Sequence, residues 1–217
     1  MADATLLRAE ELRIERRGRL VVEGVGLSLE AGERRELCAP SGGGKTSLLL
    51  GLARLLPAAG RLWLEEREAP AWPVEAWRSR VAFCPQHPVV LPGSVADNLT
   101  AAFGLRQHRG ASAPPPDELR RELERLGLAR VELDAPAADL SGGQLARLAV
   151  LRSLLVRPRV LLLDEPDAML DATAAARLDE RLDRFLAGGG AVLVASHRPR
   201  DPAAALQLAP PAEEAAA

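Results

Sequence analysis

The stretch Ala39-Pro40-Ser41-Gly42-Gly43-Gly44-Lys45-Thr46 constrains this chain more than any other. Before it lies a short extended run, Arg35-Glu36-Leu37-Cys38, and after it Ser47 opens an apolar run to Leu52 that reads as a helix. A strand, a glycine-rich turn and Gly-Lys-Thr at a helix start make a loop suited to holding phosphate. The glycines let successive backbone N–H groups converge on an anion, and the helix N-terminus adds the positive end of its dipole. Lys45 then reaches the β- and γ-phosphates as a point charge, and the Thr46 hydroxyl is placed to ligate Mg²⁺. The general pattern has Gly where Ala39 stands. Alanine costs little wherever φ stays negative, so the loop is expected to be intact.

A chain of 217 residues, 47% of them hydrophobic, suits one α/β core with at most one subdomain. The formal net charge of −2 gives no reason to expect nucleic acid as a partner. No apolar run approaches the roughly 20 residues of a membrane span, and the start has no secretory pattern. Cys38 and Cys84 both fall in expected buried strands and read as small core hydrophobes in a reducing compartment.

The runs Leu6 to Ile14 and Leu20 to Leu29 read as strands around a turn at Arg17-Gly18, and Gly60 to Glu66 as a short strand carrying Trp63. After Pro85-Gln86-His87-Pro88, where two prolines bar regular structure, the chain turns helical from Val95 to Leu155. In that region Asp117 is the expected N-cap of a helix whose Leu119, Leu123 and Leu126 share one face. The continuous apolar run Val160 to Leu163, ending in Asp164-Glu165, suits a parallel strand buried on both faces. Thr173 to Leu186 is an amphipathic helix, Ala191 to Ser196 another buried strand, and Leu206 to Leu208 a last short one. The Pro/Ala/Glu tail from 209 to 217 is expected to be disordered.

In open α/β sheets ligands gather at the carboxyl ends of the strands. Four strands here end in chemically capable residues: the glycine loop, Gln86, Asp164-Glu165 and His197. Asp164 suits a Mg²⁺-orienting carboxylate, and Glu165 beside it a general base for an attacking water. Leu140-Ser141-Gly142-Gly143-Gln144 is a second anion-binding helix start, with a hydroxyl, two glycines and free N–H groups.

Together these motifs resemble the ATP-binding cassette of ABC transporters, over nearly the whole chain. Ala39 to Thr46 matches the Walker A loop, Gln86 the Q-loop, Leu140 to Gln144 the signature, and Val160 to Asp164 the Walker B strand. Glu165 matches the catalytic glutamate, Met169-Leu170-Asp171 the D-loop and His197 the switch histidine. The resemblance implies an α/β, RecA-like P-loop core with a mostly parallel sheet, an N-terminal antiparallel part and an inserted helical subdomain. On that pattern 1–86 and 156–208 form the core and 87–155 the subdomain. It also implies a head-to-tail homodimer in which each ATP lies between the P-loop of one subunit and the signature of the other. Lys45, with the backbone of Ala39 to Ser47, would hold the phosphates, and Thr46, Gln86 and Asp164 would serve Mg²⁺. Glu165 would polarise the water, His197 would contact the γ-phosphate, and Ser141, Gly142, Gly143 and Gln144 would meet the partner's nucleotide. With no membrane span of its own, the chain is expected to drive a separate permease from the cytoplasmic face of the membrane.

Some residues depart from the family. Ala39 replaces the first loop glycine, Glu36 stands where an apolar strand residue is usual, and Asp167-Ala168-Met169 replaces a small polar start to the D-loop. The chain has no Tyr, so the base is expected to meet Arg16 or Arg17 in place of an aromatic ring. An altered loop leaves a second reading, a nucleotide-binding regulatory subunit that hydrolyses weakly. The run Val81 to Gln86 with Gly93 to Leu99 is similar to small iron-efflux cassettes, and cytochrome-c-biogenesis cassettes are a second likeness.

Overall fold

The computed structural model describes residues 4–108, 110–197 and 199–209, with Gln107 described by its backbone alone. The tail expected to be disordered lies, apart from Ala209, outside the described residues.

Strands β1 (Thr5–Arg16) and β2 (Arg19–Glu30) form an antiparallel hairpin closed by Arg17-Gly18. Both turn residues have positive φ, 52° and 75°, the two-residue turn whose twist matches paired strands. Along β1 the alternating buried residues are Leu7 and Ala9, then Leu12 and Ile14, with Leu6 buried beside the first pair. Their parity changes because the pairing shifts between Ala9 and Leu12, where Glu11 has φ 50°. One extra residue in a bulge returns the apolar side chains to the core face.

Next come β3 (Arg34–Cys38), α1 (Lys45–Leu52), β4 (Ala59–Leu64), β5 (Arg67–Glu68), α2 (Val74–Arg80) and β6 (Val81–Cys84). A helical stretch follows with α3 (Val95–Thr100), α4 (Pro116–Arg125) and α5 (Gly142–Leu155). The chain closes with β7 (Val160–Asp164), α6 (Ala172–Ala187), β8 (Ala191–Ser196) and β9 (Leu206–Gln207). The four-stranded sheet runs β2-β1-β4-β5 and is antiparallel; the five-stranded sheet runs β6-β7-β8-β3-β9 and is parallel.

The parallel sheet is buried on both sides. Val160 and Leu162 of β7 face a core shared with α1 and the antiparallel sheet. Leu161 and Leu163 face a second core built with α3, α4, α5 and α6. The helical stretch therefore closes over one face of the sheet, which is why these strands are apolar without alternation.

Two sequence expectations need correcting. The N-cap of α4 is Pro115, with Pro116 inside the first turn, so Asp117 is not the cap. Proline's fixed φ prepares the helix start, and Asp117 and Glu118 instead favour the dipole from within the first turn. Leu119, Leu123 and Leu126 do share a buried face. Cys38 is only half-buried, whereas Cys84 is buried, and both are free thiols.

Candidate functional site

All strands of the second sheet run the same way, so their carboxyl ends lie along one edge. β3 leads there into the glycine loop, β6 to Gln86, β7 to Asp164-Glu165 and β8 to His197. A cavity of about 370 Å³ opens at this edge. Arg16, Val21, Ser41 to Ser47, Gln86, Glu165 and His197 line it.

The loop is shaped by backbone contacts. Gly44, at φ 83°, precedes α1, and a Cβ there would stand 2.4 Å from the Val21 carbonyl oxygen. Only glycine satisfies both demands. Ala39 is not among the residues with positive φ, so its methyl group carries no strain and packs in the core. Its carbonyl accepts a hydrogen bond of 2.9 Å from Lys45 Nζ.

Lys45 is buried and sits within a polar network. Its Nζ lies 3.4 Å from His197 Nδ1 and 3.8 Å from Glu165 Oε1. An ammonium only donates, so His197 accepts at Nδ1 and carries its proton on Nε2. Nε2 in turn donates to Glu165 Oε1 at 2.7 Å. Gln86 Nε2 donates to the other oxygen, Glu165 Oε2, at 2.9 Å. Glu165 itself has φ 47°, held by its N–H to the Ala195 carbonyl at 3.0 Å and by its carbonyl to the Ala168 N–H at 3.2 Å. Such a conformation costs a non-glycine residue about 1–2 kcal/mol, and it turns the carboxylate off the strand line toward the cavity.

Asp164 has the same parity as Val160 and Leu162, the face on which α1 packs. Its Oδ2 accepts a hydrogen bond of 2.7 Å from Thr46 Oγ1. A hydroxyl and a carboxylate side by side, with Gln86 lining the same cavity, offer the hard oxygen donors Mg²⁺ takes. They are too few to enclose the ion, so phosphate oxygens and water would complete its shell.

The Ser141 to Gln144 segment stands apart; none of its residues lines this cavity. Ser141 caps α5 in a reciprocal box: Ser141 N–H donates to Gln144 Oε1 at 2.8 Å, and Gln144 N–H to Ser141 Oγ at 3.4 Å. Behind it the loop after Glu165 comes very close. A Cβ on Gly143 would lie 2.8 Å from the Met169 carbonyl oxygen. Ala39 and Pro40 also stay out of the cavity lining. Val21 lines it without having been singled out from the sequence, because an apolar hairpin residue carries no phosphate-binding signature.

The profile of the ABC transporter family matches residues 22–168, more than half of the chain. The chain belongs to the ABC transporter family. A relative from Bordetella bronchiseptica, the cytochrome c biogenesis ATP-binding export protein CcmA, is 40% identical over 200 residues, covering 91% of this cassette and 85% of that protein. The probable iron export ATP-binding protein FetA of Escherichia coli is 33% identical over 167 residues, covering 76% and 72%. Among solved structures, an ATP-binding subunit of an ABC transporter superposes with a TM-score of 0.77 at 25% identity, covering 89% of this chain and 80% of that one. The α/β architecture with one parallel and one antiparallel sheet is the fold of that subunit. Among the described residues of this cassette no helix is long and apolar enough to cross a membrane.

Proposed function

We propose that this ABC cassette is the ATP-hydrolysing subunit of a transporter and that the cavity at the sheet edge is its catalytic half-site. One observation carries the reading: four parallel strands bring Lys45, Gln86, Glu165 and His197 around a single cavity beside Thr46 and Asp164. The triphosphate would lie along the N–H groups of residues 41–47, with Lys45 leaving the Ala39 carbonyl for the β- and γ-phosphates. Thr46, Asp164 and Gln86 would hold Mg²⁺, which supplies charge neutralisation for the transferring phosphoryl group. A water attacks the γ-phosphorus as Glu165 takes its proton, and ADP leaves with the pair of electrons from the broken P–O bond. His197 donates from Nε2 toward the phosphoryl oxygens, charge stabilisation being the main lever in such reactions. The intact set of groups favours hydrolysis over a purely regulatory subunit.

The separation of the Ser141 segment from the cavity supports a homodimer that closes each site with the signature of the second copy. The cassette would work with a membrane permease, from the cytoplasmic face. The test mixes two inactive variants, Ser141→Arg and Lys45→Ala. Each alone should bind or fail to bind ATP as its lesion dictates, and neither should turn it over. Random pairing in a two-fold dimer should restore roughly a quarter of wild-type turnover, because one site of each mixed dimer is intact. Full turnover by Ser141→Arg alone, or none in the mixture, refutes the trans arrangement.

A further inference from the structure

Glu36 is a carboxylate in the strand that delivers the phosphate loop, and the mechanism above does not use it. Its side chain is 11% exposed, and in the β3–β8 register it pairs with Val194, two residues before the end of β8. Glu36 Oε2 accepts a hydrogen bond of 2.6 Å from the backbone N–H of Arg200, three residues past His197. Its Oε1 lies 3.8 Å from the Arg34 guanidinium, which donates to Asp179 Oδ1 of α6 at 2.8 Å. The Arg200 guanidinium pairs with the other oxygen, Asp179 Oδ2. Four side chains from β3, α6 and the segment after β8 thus form one closed polar tether.

Among its described residues the segment after β8 has few other contacts that hold it there. Its far end is anchored by pairing of Leu206 with Leu37 and by the Leu208 N–H to the Cys38 carbonyl. Between segment and strand a cavity of about 360 Å³ remains, bounded by Arg34, Arg35, Glu36, Arg200, Ala204 and Ala205. Close packing therefore does not fix the near end of the arch. The His197 side chain is itself 46% exposed, so its ring is held by its contacts with Lys45 and Glu165 and not by close packing. Burial would push the Asp179 carboxyl up, but hydrogen bonds and charge from Arg34 and Arg200 bring it below its ordinary value.

We infer that Glu36 and Asp179 are positioning residues for hydrolysis: they pin Arg200 and so hold His197 in line between Lys45 and Glu165. This rests on the catalytic reading of His197 given above. A small misplacement of a reacting group lowers the rate steeply without removing any contact to substrate. Substrate binding through the glycine loop should not feel it.

The test is a double-mutant cycle on the full chain, with single-turnover ATP hydrolysis and nucleotide titration read in parallel. Glu36→Ala should lower the hydrolysis rate about tenfold, since orientation and not chemistry is lost. The nucleotide dissociation constant should stay within about twofold, because Glu36 does not line the cavity at the loop. Glu36→Gln keeps an acceptor for the Arg200 N–H and should restore most of the rate. In a His197→Ala background, Glu36→Ala should cost nothing further, an interaction that a general loss of stability would not produce. Should Glu36→Ala fail to fold, Asp179→Ala severs the tether from the helix side and is read the same way. Wild-type hydrolysis by folded Glu36→Ala, with His197→Ala impaired, overturns the tether alone, as does an equal loss in both backgrounds. Wild-type hydrolysis by His197→Ala overturns the role of His197 and the tether with it.

Discussion

Replacing Glu165 by Gln removes one proton acceptor and leaves almost every atom in place. In the structure the carboxylate accepts from His197 Nε2 at 2.7 Å and from Gln86 Nε2 at 2.9 Å, with Lys45 3.8 Å away. A glutamine has one oxygen to offer, so its NH₂ must face one of the two donors. Facing His197 is the poorer choice, because a tautomer switch there would aim an N–H at the Lys45 ammonium. Facing Gln86 is tolerable, since that amide can rotate and present its oxygen. Folding should therefore survive, at a cost of about 1–3 kcal/mol for two charge-assisted bonds made neutral. Hydrolysis should not survive. A positioned general base contributes about 10²- to 10⁴-fold, or about 3–5 kcal/mol of barrier. ATP binding should be unchanged or tighter, since a negative charge beside the incoming phosphates has gone. Phosphate release and nucleotide titration on the same preparation read both quantities. Hydrolysis at the wild-type rate by Glu165→Gln would refute the assignment of the base.

Two other outcomes are expected. The cavity beyond the loop is bounded by Arg16 and Val21. A guanidinium stacks on purines without choosing among them, so ATP and GTP should bind within about tenfold of one another, and Arg16→Ala should weaken both alike. A preference for ATP above a hundredfold, measured by titration, would refute this. Glu122 of α4 is buried between Arg181, which donates to it at 2.7 Å, and Arg125. Burial pushes its carboxyl up, but the hydrogen bonds and charges of the two arginines bring it below the ordinary value. A lowered folded pKa stabilises above the unfolded value of about 4.3 and is lost as pH falls through the folded one. Urea midpoints should then fall more steeply below about pH 4 for the wild type than for Glu122→Gln. Parallel curves for the two proteins would contradict it.

Much of the site could be read from the sequence because its signals are local. A glycine run before Lys45-Thr46, a carboxylate pair after four apolar residues, and Ser141 three residues before Gln144 each announce a strand end or a helix start. Parallel strands then bring the ends together without further instruction. What escaped was non-local. Glu36 and Asp179 meet through Arg34 and Arg200, and nothing in the spacing of those residues along the chain foretells it. The bulge at Glu11 hides the alternation of β1, since the buried parity changes mid-strand. Asp117 looked like a cap because Asp is a good one, and the proline before it took precedence by fixing φ. The sharing of one sheet by two cores shows only when α3 to α6 are placed over it.

The contact behind Gly143 has a consequence for how substitutions at that position are to be understood. A side chain there would collide with the Met169 carbonyl in the same subunit, before any second copy or nucleotide arrives. Backbone cannot retreat as a flexible side chain can, so the collision would displace the start of α5 or the loop that follows Glu165. A glycine at 143 is thus demanded by an isolated subunit as much as by an assembled pair. Its presence in a sequence says little about whether that protein pairs at all, and the exposed hydroxyl of Ser141 is the better place to ask.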